Sequence, residues 1–191
     1  MSQEYRVLSV QVGTVQPLQI GDRKVMTGIR KHAVEGKVAV NTLGIEGDEQ
    51  ADLTVHGGLA KAVYAYPSEH YPFWQEQRTM LGLSPDLPYG SLGENLTLSG
   101  LLEEILFVGD ELHFPDCVLR VTQPREPCYK FNAIMGDKKA AKKMVQTRFC
   151  GFYLAVEATG SIAAGQTFEL KPGLRGVPIS ALFKAATLKA R

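Results

Sequence analysis

Short stretches in which apolar and polar side chains alternate recur along almost the whole chain, and they leave it few ways to fold. Arg6 to Val12 alternates in this way, as do the stretches near Lys24 to Ile29 and Lys37 to Val40, the pattern of strands with one buried face. Ala62 to Tyr66, Asn95 to Leu98, Glu111 to Phe114, Val118 to Gln123, Phe152 to Glu157 and Thr167 to Leu170 have the same strand character, punctuated by Gly-Asp and Pro-Asp turns. Three helices are expected among them. Ser68 caps a segment running to Leu81, Asp137 opens a Lys- and Ala-rich helix to about Phe149, and Ile179 to Lys189 is short and amphipathic. Many short strands, long Gly-rich connections and few helices predict a mainly β, barrel-like fold rather than alternating βαβ units.

With 191 residues, the chain is long enough for one domain of ordinary size, and no linker or repeat divides it. Residues 1–173 read as that domain and 174–191 as a short helical tail, with Pro172 and Gly173 at the seam. A net charge of +1 offers no general field for DNA, RNA or an anionic membrane, so any anion must be met locally. The N-terminus has no signal-peptide pattern, and no run approaches the roughly 20 apolar residues of a membrane span, so a cytoplasmic location is expected. Neither GxGxxG nor GxxxxGK[ST] occurs, which removes the common nucleotide-binding readings. Cys117, Cys128 and Cys150 are an odd number at irregular spacing, a pattern of reduced thiols.

Four segments concentrate chemistry. Gly44 to Gly58 packs Asp48, Asp52 and His56 among glycines, including Gly57 and Gly58, where backbone can approach a ligand. The three polar residues are four apart, but Thr54, Val55 and the Gly pair are poor helix formers, so the spacing alone defines no metal face. Val121 to Phe131 holds Cys128 behind Pro124 and Pro127 with the charged pair Arg125 and Glu126 between them; the prolines stiffen the path and present the thiol at a defined point. Arg125 and Lys130, if near in space, favour the metal-binding thiolate. Glu94 and Asn95 in Gly93 to Thr97 either terminate a turn or face a site. Arg30 and Lys31 in the cluster Ile29 to His32 can grip a phosphate or stay solvated.

In this order the segments resemble the MOSC family, named for the C-terminal domain of molybdenum cofactor sulfurase, and most closely its YiiM-like bacterial branch. The matching pieces are Ile29 to Lys31 with Gly36 and Val38, Gly44 to Tyr66, GENLT at 93–97, GDELHF at 109–114 and QPREPC at 123–128. Ala33 stands where the branch often has proline, and the helical extension common in the branch is shortened after Gly173, leaving Pro178 to Arg191 as its stump. The resemblance implies a β-barrel-like fold and a molybdenum cofactor of the molybdopterin type. It further implies an oxidoreductase that reduces N-hydroxylated purines and related small molecules, in a detoxifying role.

By the same resemblance Cys128 is the molybdenum ligand with Arg125 beside it, and Arg30 and Lys31 hold the cofactor phosphate. Asp48, Asp52, His56, Glu94 and Asn95 then line the pterin and substrate side, with His56 the preferred proton donor because a histidine titrates near neutral pH. A separate electron-donor reductase is implied, and an oligomer is compatible. Two rivals stay open: a non-enzymatic carrier of the cofactor or of sulfur on Cys128, and a zinc protein using Cys128, His56 and an aspartate. The second lacks the paired-ligand spacing usual for structural zinc.

Overall fold

Among the residues described by the computed structural model, 4–51 and 57–189, seven strands close into a barrel. In chain order the elements begin with β1 (Tyr5–Val12), the hairpin β2 (Gln16–Ile20) and β3 (Arg23–Thr27), β4 (His32–Ala33), β5 (Val38–Asn41) and β6 (Gly44–Ile45). There follow β7 (Val63–Pro67), α1 (Tyr71–Met80), β8 (Leu96–Ser99), β9 (Glu111–His113) and β10 (Val118–Pro124). The chain continues through α2 (Tyr129–Met135), α3 (Ala140–Thr147), β11 (Phe152–Ala158), β12 (Gly160–Ile162), β13 (Thr167–Lys171) and α4 (Ile179–Lys189). The barrel runs β1, β8, β7, β11, β10, β9, β13 and returns to β1 where Tyr5 faces Phe168. Closure leaves no long unpaired edge.

The sheet is antiparallel except for β7 and β8, and a parallel pair needs a crossover. The connection that carries α1 supplies it. Val7, Val63, Ala65, Leu96, Leu98, Leu112, Leu119, Val121, Phe152 and Leu154 are buried in one core with Trp74 of α1 and Phe131 of α2. A smaller sheet, β12–β5–β6, and the β2–β3 hairpin stand beside the barrel. Register shifts in β10 between Val121 and Gln123 mark a bulge, which re-aims the chain that follows. That chain carries Arg125 and Cys128.

The mainly β barrel with a few helices is the architecture that the alternating stretches predict. The Ser68 helix divides into a 3-10 turn at Ser68–His70 and α1, and the Asp137 helix is shortened to α3. Strand β3 answers to the stretch near Lys24 to Ile29, while its hairpin partner β2 and helix α2 have no counterpart in the sequence reading. Ile179 and Phe183 of α4 are fully buried in the common core, so the C-terminal segment is docked on the barrel. Asp110 secures its approach, accepting from the Gly173 N–H and from both contacts of Arg175 Nη1, each at 2.8 Å. No helix among the described residues is long and apolar enough to cross a membrane.

Candidate functional site

A cleft opens where the end of β3, the loop 48–51 and the β10–α2 connection meet, a concave meeting point of several segments such as small-molecule and cofactor sites use. Its walls approach closely. A side chain at Gly28 would place its Cβ 2.2 Å from the Glu49 carbonyl oxygen, so only glycine lets β3 run on against this loop.

Cys128 lines the cleft, half-buried, at the N-cap of α2 with extended backbone angles of φ −114° and ψ 168°. Pro127 precedes it with a fixed φ and no N–H donor, and α2 begins at Tyr129. The helix ends on Gly136, left-handed at φ 66°, the usual stop. Cys117 and Cys150 are buried elsewhere in the core, and none of the three cysteines is in a disulfide.

Arg125 also lines the cleft but is only 4% exposed. Its guanidinium lies 5.3 Å from the Tyr64 ring centre and 5.2 Å from that of Phe131, with Nη1 3.6 Å from the Met144 sulfur. Burial alone would lower its pKa, but the neighbouring phenols and the Cys128 sulfur hold it above the usual value, so it stays a cation. Among the described residues no carboxylate lies within salt-bridge distance of it. Glu126, its neighbour in sequence, is exposed. The charged pair of the sequence is thus divided between the interior and the surface.

Lys31 and Asp48 meet in a buried ion pair, their side chains 6% and 3% exposed. Asp48 also accepts the Gly13 N–H at 2.9 Å. Both residues line the cleft, yet each is engaged by the other. Arg30 is exposed, and Arg30, Gly57 and Gly58 are not among the lining residues. Asn95 reaches the cleft and braces its floor: its Oδ1 accepts the Tyr64 N–H at 3.0 Å and its Nδ2 donates to the Gln11 carbonyl at 3.3 Å. Glu94 lies behind that wall, fully buried, taking hydrogen bonds from the Tyr71 and Thr97 hydroxyls and the Gly90 N–H. Burial pushes its carboxyl above the usual range against those bonds. Asp52 and His56 lie outside the described residues.

Tyr64, Tyr153, Lys61 and Lys130 also line the cleft, and the sequence reading assigns only Lys130 a part in it. Tyr64 and Tyr153 face each other across β7 and β11 with ring centres 5.4 Å apart. Burial keeps both phenols protonated, in each against the opposing pull of Arg125. Lys61 sits 5.7 Å from the Tyr153 ring centre, and Lys130 Nζ donates to the Met26 carbonyl at 3.0 Å. Among the described residues, four cations therefore line the cleft, Lys31, Lys61, Arg125 and Lys130, against the two carboxylates Asp48 and Glu49.

This donor set fits a metal that arrives with its own anionic organic ligand. No three His, Cys, Asp or Glu side chains among the described residues converge to hold a bare metal ion. One soft thiol beside a surplus of cations suits a group that carries both a thiophilic metal and negative charge.

Comparison with known proteins agrees with the architecture. The profile of the MOSC domain matches residues 52–169. The uncharacterized protein YflK of Bacillus subtilis is 41% identical over 94% of this chain and 80% of its own length. A protein named reductase from Gibberella moniliformis is 33% identical over 86% of this chain, which spans 29% of that longer protein. The crystal structure of YiiM from Geobacillus stearothermophilus superposes with a TM-score of 0.76 at 31% identity, covering 97% of this chain and 85% of that one. With its closed barrel, its ordered motifs and these relatives, the chain belongs to the MOSC domain family, in its YiiM-like branch.

Proposed function

We propose that this protein is a cytoplasmic oxidoreductase that holds a molybdenum cofactor of the molybdopterin type and reduces N-hydroxylated bases and related small molecules to amines. The observation that carries the reading is Arg125: a buried guanidinium without a carboxylate partner among the described residues, in one cleft wall with the Cys128 thiol. A buried cation is costly unless an anion meets it. The Cys128 thiolate and an anionic cofactor supply that anion.

In this reading Cys128 is the protein's ligand to molybdenum. The cofactor, when bound, supplies a two-electron centre that accepts one oxygen atom. Tyr64 and Phe131 clamp Arg125, so the positive charge beside Cys128 cannot swing away. Lys31, which lines the cleft and pairs with Asp48, and the exposed Arg30 are the proposed cations for the anionic tail, with Lys61 and Lys130 adding positive charge to the cleft wall. The balance R–NHOH + 2 H⁺ + 2 e⁻ → R–NH₂ + H₂O requires a proton source and an external reductant. His56 is the proposed donor, close in sequence to Asp48 through Ala51, which line the cleft. The likeness to a protein named reductase supports the redox class, and three thiols outside any disulfide fit a reducing compartment.

The test is protein purified from a cofactor-competent host, analysed for metal and pterin, then supplied with an N-hydroxylated purine and a reduced viologen dye. The expected result is molybdenum, pterin and amine product, all lost in Cys128→Ala. Stoichiometric zinc without pterin would overturn the reading. Molybdenum and pterin without turnover would favour the carrier role on the same thiol.

A further inference from the structure

We propose that the outer face of the α2–α3 helix pair is the docking surface for an acidic flavin-carrying protein that delivers the electrons. The inference rests on the reductase reading for its purpose and on charge and geometry for its location. Between Tyr129 and Arg148 lie six of the chain's 21 Lys and Arg residues and one of its 20 Asp and Glu residues. That segment is therefore net +5, and the other residues, which hold 15 cations and 19 acids, are net −4. A nearly neutral protein has gathered much of its positive charge onto the segment that carries α2 and α3.

The charge is presented outward. Lys138, Lys139, Lys142 and Arg148 are exposed, and among the described residues none of them has an acidic group within salt-bridge distance. The exceptions are Lys143, paired with Asp137 at 2.7 Å, and Lys130, which lines the cleft. Arg148 adds a second observation. It ends α3 in the left-handed conformation at φ 64°, alone among the described non-glycine residues, where glycine would carry no steric cost. A cation retained in a strained position suggests a use for its charge.

Of these helices α2 borders the cleft, through Cys128 and Lys130, and α3 packs behind it. Cys128 is the N-cap of α2, and Met144, on the buried side of α3, touches the Arg125 guanidinium. The exposed Lys142 and the buried Met144 thus lie on opposite sides of α3, whose diameter is ~10 Å. Electrons arriving there need not cross the barrel.

Chemistry and charge select the partner. The reduction consumes two electrons and two protons, and a reduced flavin carries both: R–NHOH + FMNH₂ → R–NH₂ + H₂O + FMN. A long polyanion or a membrane would extend beyond the patch onto a surface of net negative charge. A compact acidic domain covers about 800 Å² on each side and can stay on the patch. Complementary charge would speed its encounter and make it salt-dependent.

The test uses flavodoxin, an acidic FMN protein, as the probe. Its binding to the holoenzyme is measured by calorimetry at low and high salt, and turnover of an N-hydroxylated purine is followed with reduced flavodoxin and separately with reduced viologen dye. The combined variant Lys138→Glu, Lys139→Glu, Lys142→Glu is expected to weaken flavodoxin binding at least tenfold and to raise the KM for flavodoxin equally. Dye-driven turnover should stay within twofold, which also verifies the fold; the Lys→Gln version should fall between. No saturable flavodoxin binding by the wild type at low salt, or binding unchanged by charge reversal, would overturn the proposal. Equal affinity for a DNA duplex or for anionic phosphatidylglycerol vesicles would overturn it too. If flavodoxin binds as expected but wild-type protein shows no turnover with the dye, the docking face stands and the reductase reading fails.

Discussion

Replacing Arg125 with Met separates the fold from the site in one substitution. The guanidinium is 4% exposed and rests between the Tyr64 and Phe131 rings. Removing it relieves the desolvation of a buried ion, several kcal/mol after relaxation, and forfeits two ring contacts of roughly 1–2 kcal/mol each. Methionine occupies much of the same volume, so little cavity remains. The two effects oppose each other, and the stability of the cofactor-free protein should change by no more than about 2 kcal/mol, a Tm shift within about 8 °C for a chain of this size. Ligand binding has no such compensation. A charge-assisted hydrogen bond of about 1.5–3 kcal/mol would be lost, weakening an anionic cofactor roughly 10- to 150-fold. Thermal unfolding of cofactor-free protein and pterin per chain after purification read the two quantities separately. A variant that unfolds more than about 8 °C lower yet retains full pterin would make Arg125 a structural residue and refute the reasoning.

Native protein treated with iodoacetamide at pH 8 should be alkylated on Cys128 first. Cys117 and Cys150 are buried, and burial with Asp116 nearby pushes the Cys117 thiol up to about 11, cutting its reactive fraction about 100-fold; mass spectrometry finding either of them labelled before Cys128 would contradict the site. Gly151→Ala should destabilise more than Gly109→Ala in urea unfolding. Both are left-handed, at φ +66° and +91°, but only at Gly151 would the new Cβ collide, 2.5 Å from the Ala65 carbonyl oxygen and 2.8 Å from Tyr64 Cε2, adding about 1–3 kcal/mol; equal losses would remove the steric argument. For Asp137, burial pushes the carboxyl up, but bonds from the Lys143 side chain and the Lys139 N–H bring it below the usual range. Its contribution is present above the unfolded pKa near 3.9 and disappears as pH falls through the lowered native value. Asp137→Asn should therefore have a lower urea midpoint at pH 7 and approach wild type below about pH 4; a gap that widens in acid would reverse the sign of the argument.

The sequence by itself determined the β class, most strands and the thiol-bearing segment. These are local matters. Alternation along β1 or β10 states which face will be buried, and Pro124 and Pro127 restrict the path to Cys128 whatever lies around it. Helix α2 escaped notice because it has seven residues and its N-cap is a cysteine that makes no side-chain capping bond, and β2 because Pro17 interrupts a weak alternation. Tertiary structure decided which groups meet. Lys31 pairs with Asp48 seventeen residues away, and Tyr64 meets Tyr153 through the β7–β11 register. Glu94 is sealed behind the wall while its neighbour Asn95 reaches the cleft, and Arg125 enters the interior while Glu126 faces solvent. Hydrophobic pattern is a property of one strand, readable residue by residue. The charge balance of a cleft is a sum over segments that only barrel closure brings within a few ångströms of one another, and at that range it depends on burial and pairing that no single segment encodes.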